Sequence, residues 1–229
     1  MKSRGAAARM QDTRSTRDSI LDAAERRFAE RGFAGVSVRE IAGDVGLRNQ
    51  ASLYHHFRNK RALYEAVLGR GVEAIVGLVA GRTSAADRDG RQAELLDEGP
   101  ERLLDYLIEH PHLPRLIQRA GIDDTRYLKT SVTQLLRPLY TQGLRILAAR
   151  PVPWEAAQLP HLAAGLFNLI FGYFANAKLL EAVTQADPLS SAAVARQRRF
   201  LKAAVAQLLG NTTPPRVRSV LRTRGRMHP

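Results

Sequence analysis

Residues 36–57 read VSVREIAGDVGLRNQASLYHHF, and this stretch decides the fold. Its opening holds a complete helix start. Ser37 is placed to cap the amide of Glu40, Glu40 to answer the Ser37 amide, and Val36 to staple onto Ile41. The helix so begun is short, ending near Val45, with Gly46 as its stop. A second short helix is expected over 50–57, with Leu53 and Phe57 four residues apart on its inner side. Two short helices joined by a tight turn make a helix-turn-helix candidate. The second helix of such a unit enters the DNA major groove, so its apolar side must be narrow and its outer side polar. Here Asn49, Gln50, Ser52, Tyr54 and His55 remain as outward donors and acceptors. An ordinary helical hairpin could carry the same caps, so pattern alone leaves both readings open.

Outward from this unit nearly every periodic stretch has helical spacing, and no period-2 run bounded by hairpin turns is evident. A first helix runs from Ser15 or Thr16 to Arg31, with Ile20, Leu21, Ala24 and Phe28 on one face and Gly32 as its stop. Asn59 caps a long fourth helix striped by Leu63, Val67, Ala74, Ile75 and Leu78. Residues 81–99 mix Gly, Ser and charges and are expected to be a flexible connection. Helices then follow from Pro100 to Ile108, over Leu113–Ala120, over Thr125–Ala149 with a kink at Pro138, over Trp154–Val183 and over Leu189–Leu209. The expected fold class is all-α.

Of the 229 residues 45% are hydrophobic and 25% charged, which suits a globular chain long enough to need no covalent staple. There is no cysteine, which excludes disulfides, thiolate metal sites and cysteine nucleophiles and fits a reducing compartment. The formal charge is +13, and its placement matters more than its size. Lys2, Arg4, Arg9, Arg14 and Arg17 face only Asp12 at one end, while Arg216, Arg218, Arg222, Arg224 and Arg226 face no acid at the other. Basic ends of this kind attract polyanions through counterion release. The longest apolar run, Leu162 to Ala177, contains Asn168 and Asn176 and is shorter than the ~20 residues of a spanning helix. No membrane partner is expected, and the expected location is the cytoplasm, at the nucleoid.

With Arg17–Val67 the residues become specific. ILDAAERRFAERGFAGVSVREIAGDVG (20–46) followed by SLYHHFRNKRALYEAVL (52–68) closely resembles the TetR family of bacterial transcriptional regulators. The resemblance covers roughly 50 residues. It implies an N-terminal three-helix DNA-binding domain and a larger helical C-terminal domain that dimerises and binds a small effector, which releases a palindromic operator. The implied division is a basic disordered arm (1–15), a helix-turn-helix domain (16–62), an effector-binding and dimerisation domain (63–210) and a basic disordered tail (211–229). Carried over by position, the base-reading helix is Asn49–His56. Tyr54 and His55 match phosphate and thymine-methyl contacts, Lys60 a phosphate contact, and Ser37 and Arg39 backbone contacts. Arg17 lies at a helix N-terminus suited to phosphate. The chain carries one residue more between Gly46 and Leu53 than the commonest family spacing, which leaves open whether Arg48, Asn49 or Gln50 reads bases.

Leu166, Phe167, Ile170, Phe171 and Phe174, with Leu201, Val205 and Leu208 of the last helix, are the expected dimer interface, closed as a four-helix bundle across a two-fold axis. Tyr106, Tyr127, Tyr140, Trp154 and Asn168 are the polar-tipped candidates for an effector pocket in an otherwise apolar cavity. His110 and His112 bracket Pro111, where capping or exposure outweighs metal ligation, and His56 is expected to pack beside Phe57. Asp123 and Asp124 read as caps rather than a catalytic pair. No nucleophile elbow, phosphate loop or dinucleotide fingerprint is present, so no catalytic residue, metal or cofactor is expected. The competing readings are a non-specific architectural DNA-binding protein and a helical effector-binding or enzymatic protein with a vestigial head.

Overall fold

The computed structural model describes residues 15–79, 102–122, 129–149 and 151–210. The terminal arm and tail, the expected connection at 81–99, Asp123, Asp124 and Tyr127 lie outside them. The described residues are all-helical, with no strand among them. Helix α1 (Thr16–Arg31) starts where Ser15 Oγ accepts the Asp18 amide, and its Ile20, Leu21, Ala24 and Phe28 are fully buried or nearly so. It stops at Gly32, whose φ of 70° suits glycine and whose amide donates to the Phe28 carbonyl. Helix α2 (Val38–Asp44) has both halves of the Ser37–Glu40 capping box, and Gly46 turns the chain at φ 70°.

Helix α3 (Gln50–Tyr54) is three residues shorter than its spacing suggests. The next helix, α4 (Lys60–Val79), starts where Asn59 Oδ1 accepts the Ala62 amide. The chain must reverse between these helices while keeping Phe57 in the core, and it does so in a turn in which the His56 and Phe57 amides both donate to the Leu53 carbonyl. Leu53 is fully buried and Phe57 is 4% exposed, so the inner side is as expected. His56 is exposed rather than packed.

Three helices and the near half of α4 are tied by more than apolar packing. Phe28, Phe33 and Tyr64 form an aromatic cluster with centroid separations of 5.0–6.2 Å. Arg27 grips Asp44 with two bonds, of 2.7 and 2.5 Å, and Arg31 reaches Glu40 at 2.7 Å, which sets the α1–α2 angle. Arg70 on α4 bonds Asp22 at 2.7 Å and the buried Glu25 at 3.0 Å. A buried carboxylate is tolerated only when paired in this way.

The body comprises α5 (102–109), α6 (His112–Ile122), α7 (Lys129–Ala148), a single 3₁₀ turn (Ala156–Gln158), α8 (Leu159–Ala175), α9 (Ala177–Thr184) and α10 (Ser191–Leu208). Helix α6 packs against α1, α4 and α8. Its Leu113 side chain fills the place a Cβ would take at Gly71, 2.3 Å away, and Arg119 donates to the Glu30 carbonyl at 3.1 Å. Pro138 sits inside α7 and removes one backbone donor, while the Thr141 hydroxyl bonds the Arg137 and Pro138 carbonyls at 3.0 and 3.2 Å.

The single helix expected over Trp154–Val183 is instead two, bent by 65° at Asn176. The Asn176 side chain donates to the Gly172 carbonyl at 2.9 Å, the same carbonyl its own amide uses, a competition that ends helices. Trp154 stays outside α8 because its indole donates to the Leu208 carbonyl at 2.6 Å. Among the described residues no single helix is long and apolar enough to cross a membrane.

Candidate nucleic-acid interface

The outer side of α3 is built by its cap. Asn49 Oδ1 accepts the Ser52 amide at 3.0 Å and the Ser52 hydroxyl at 3.2 Å, which fixes the first turn of a helix too short to persist on propensity. Both polar side chains are thereby engaged. Arg48, Gln50 and His55 are exposed, and Tyr54 is 43% exposed, so Gln50 and Tyr54 stand one turn apart on a solvent-facing side of α3 while Leu53 is buried beside them. Asn49 thus holds the cap, and Arg48, Asn49 and Gln50 are all exposed.

Two cations flank this face on aromatic supports. The Arg17 guanidinium lies 5.1 Å above the Phe57 ring, and Lys60 Nζ lies 4.5 Å above the Phe33 ring. Lys60 is half-buried, and that burial lowers its pKa against the opposing pull of Glu40. Arg39 is exposed on α2. The Ser37 amide and hydroxyl each donate to Glu40 at 2.8 Å. The backbone amide of Ser37, then Arg31, then the Ser37 hydroxyl lower the Glu40 pKa to about 2. Sequence spacing missed both aromatic supports, because Phe33 lies 27 positions from Lys60 and Arg17 lies 40 from Phe57. No local pattern reports such pairs.

A second feature lies in the body. A cavity of about 350 Å³ opens between α7 and α8, walled by Leu136, Leu139, Leu147, Ala163, Leu166, Ile170 and Val205 among others. Of the pocket candidates Tyr140 and Asn168 line it. Tyr106 does not: it packs on the core with its ring 4.2 Å from that of His110. Trp154 is held at Leu208 instead. His112 is half-buried at the start of α6, where burial lowers its pKa despite Glu25 and Glu30 nearby.

Within the single chain the expected dimer residues fall into two settings. Phe171, Phe174 and Leu201 are 2%, 3% and 5% exposed, so they are part of the chain's own core. Leu166, Phe167, Ile170 and Val205 wall the cavity together with Phe171, and Leu208 packs half-buried beside it. An apolar helix next to a cavity has its bulk turned inward. Gly165 on α8 and Phe200 on α10, the latter at 54% exposure, face out, while the exposed Ala164 and Asn168 stand at the cavity wall.

A capped, solvent-facing second helix on a three-helix head, carried by a hollow all-helical body, defines a helix-turn-helix regulator of transcription. Residues 20–67 match the model of the bacterial regulatory proteins of the tetR family. Over these residues the chain resembles that family of DNA-binding transcriptional regulators. It is 27% identical over 176 residues to a Bacillus subtilis protein named "Probable HTH-type transcriptional regulator YttP", covering 76% of this chain and 84% of that one. It is 29% identical over 168 residues to the HTH-type transcriptional repressor NicS of Pseudomonas putida, covering 73% of each. The solved TetR transcriptional regulator from Legionella pneumophila shares the fold, with a TM-score of 0.60 at 15% identity over 85% of this chain and 99% of that one. Relatives and fold alike point to a regulatory family rather than an enzyme.

Proposed function

We propose that this chain is a homodimeric repressor that holds a palindromic operator and releases it when a small molecule enters the cavity. The observation that carries this reading is α6, which touches both features. Ile117 is on the cavity wall, Leu113 is wedged against Gly71 of α4, and Arg119 bonds the end of α1. A ligand that changes how α6 sits would tilt α4 and with it the head. Two reading helices must stay about 34–36 Å apart to meet successive major grooves, so a tilt would break the match. The ligand can shift that equilibrium only by its differential affinity for the two arrangements.

In this reading Gln50 or Arg48 contacts base edges, and Tyr54 and His55 contact phosphate and thymine methyl. Lys60, Arg17 and Arg39 neutralise phosphates, while Asn49, Ser52 and Ser37 position their helices. The outer faces of α8 and α10 meet a second copy. A repressor named among the relatives supports the direction of regulation. Selection of bound duplexes from a random pool tests the whole. A palindrome with half-sites one helical turn apart is expected. Equal recovery of scrambled sequence would favour an architectural protein instead.

A further inference from the structure

The chamber between α7 and α8 continues past Phe167 into a shallower recess, and the two spaces share Ile117, Leu136, Phe167 and Asn168 as walls. Every described side chain lining either space is uncharged. The chamber is hydrocarbon and ring except for Tyr140 and Asn168. The recess is different, because it gathers three primary amides: Gln118, Asn168 and Asn176. Asn168, Gly172 and Asn176 follow one another at four-residue spacing, and a Cβ at Gly172 would stand 3.9 Å from Gln118 Nε2, which places that amide beside the α8 row. Asn168 and Asn176 each donate one hydrogen to a carbonyl four residues earlier at 2.9 Å, which fixes both amides while leaving each Oδ1 as an acceptor. The Tyr140 hydroxyl donates to the Pro160 carbonyl at 3.2 Å, so its oxygen can still accept.

We infer that the effector is a neutral amphipathic molecule, with an apolar body in the chamber beside Phe167 and one uncharged hydrogen-bonding end, a hydroxyl or amide, among Gln118, Asn168 and Asn176. This rests on the cavity being the effector site. Carboxylate and ammonium ends are disfavoured because the described walls offer a charge no counter-ion, so such an end gives up part of its hydration there and gains no ion pair in return. Hydroxyl and amide ends are favoured because primary amides give and take hydrogen bonds without a net charge.

The test uses the full chain and the neutral fluorophore 1-N-phenylnaphthylamine, displaced by decanol, decanoate or decyltrimethylammonium below their micellar concentrations. Decanol is expected to displace it, with both ions about tenfold weaker or more. An ion that competes as well as decanol overturns the inference, as does failure of the fluorophore to bind or of decanol to displace it. A side chain at Gly143, a wall residue, meets no atom within 4 Å, so Gly143→Leu should fill the chamber and abolish fluorophore binding in a protein that melts normally. Gln118→Leu should weaken decanol several-fold and leave the fluorophore bound; unchanged decanol affinity overturns the placing of the polar end. Duplex binding is measured in the same samples. Selective decanol binding that leaves DNA affinity unaltered defeats the effector-release reading while the ligand class stands.

Discussion

Gln50 and Tyr54 project from a helix of only five residues, and what keeps them there is the cap beside them, Asn49. The two roles separate by mutation. Gln50→Ala should cost about 1–3 kcal/mol of operator binding and relax preference at one base position, measured by competition among single-base variants of the selected duplex. Asn49→Ala removes the cap, costs about 1 kcal/mol of stability, and should weaken every duplex alike, whereas Asn49→Ser restores binding. Base-specific loss in Asn49→Ala would make it a reader instead. The same reasoning explains why one residue more in the turn is tolerated: the backbone re-enters the helix through a side-chain oxygen that accepts the Ser52 amide.

Among the elements, the Ser37–Glu40 box was legible to the residue because its bonds span only three positions. The α1 and α4 starts were equally plain, since Ser15 and Asn59 act on amides three residues ahead. Ends set by tertiary demand were not legible. Helix α3 stops at Tyr54 because Phe57 must turn inward, and α8 breaks at Asn176 because a side-chain amide competes for one carbonyl. The inward or outward sense of the apolar α8 was not legible for a related reason: a helix rich in Leu and Phe all round gives no moment to orient it, and the cavity beside Phe167 and Ile170 has no sequence signature. The box also carries a pH dependence. Because folding lowers the Glu40 pKa from 4.5 to about 2, its contribution is complete above about pH 4.5 and is lost as the pH falls towards 2. Melting temperature measured across that window should fall less steeply in Glu40→Gln than in the parent; an identical slope would show that the carboxylate contributes nothing there.

At the scale of the molecule, head and body meet where α6 crosses α4. Gly71→Ala places a methyl 2.3 Å from a Leu113 carbon that is itself fully buried, so the side chain has little room to give way. Overpacking of this kind should cost about 1–3 kcal/mol in urea unfolding and alter how strongly an effector weakens DNA binding. The outer face of α8 gives the complementary test. A side chain at Gly165 meets no atom within 4 Å of its own chain, so Gly165→Arg should leave the monomer folded, as judged by circular dichroism. It should nonetheless split the dimer in sedimentation and abolish operator binding; an intact dimer would move the interface elsewhere.

The grip of Arg70 on Asp22 and the buried Glu25 has its own consequence. It fastens α1 to the middle of a rod about 30 Å long, and the Phe28–Phe33–Tyr64 rings clamp the nearer end. Bending in that stretch would part Arg70 from Asp22 and from the buried Glu25. A small push beyond residue 70 is therefore not absorbed along the way; it swings the far tip through a wider arc, as an oar magnifies a short pull of the hands into a long sweep of the blade.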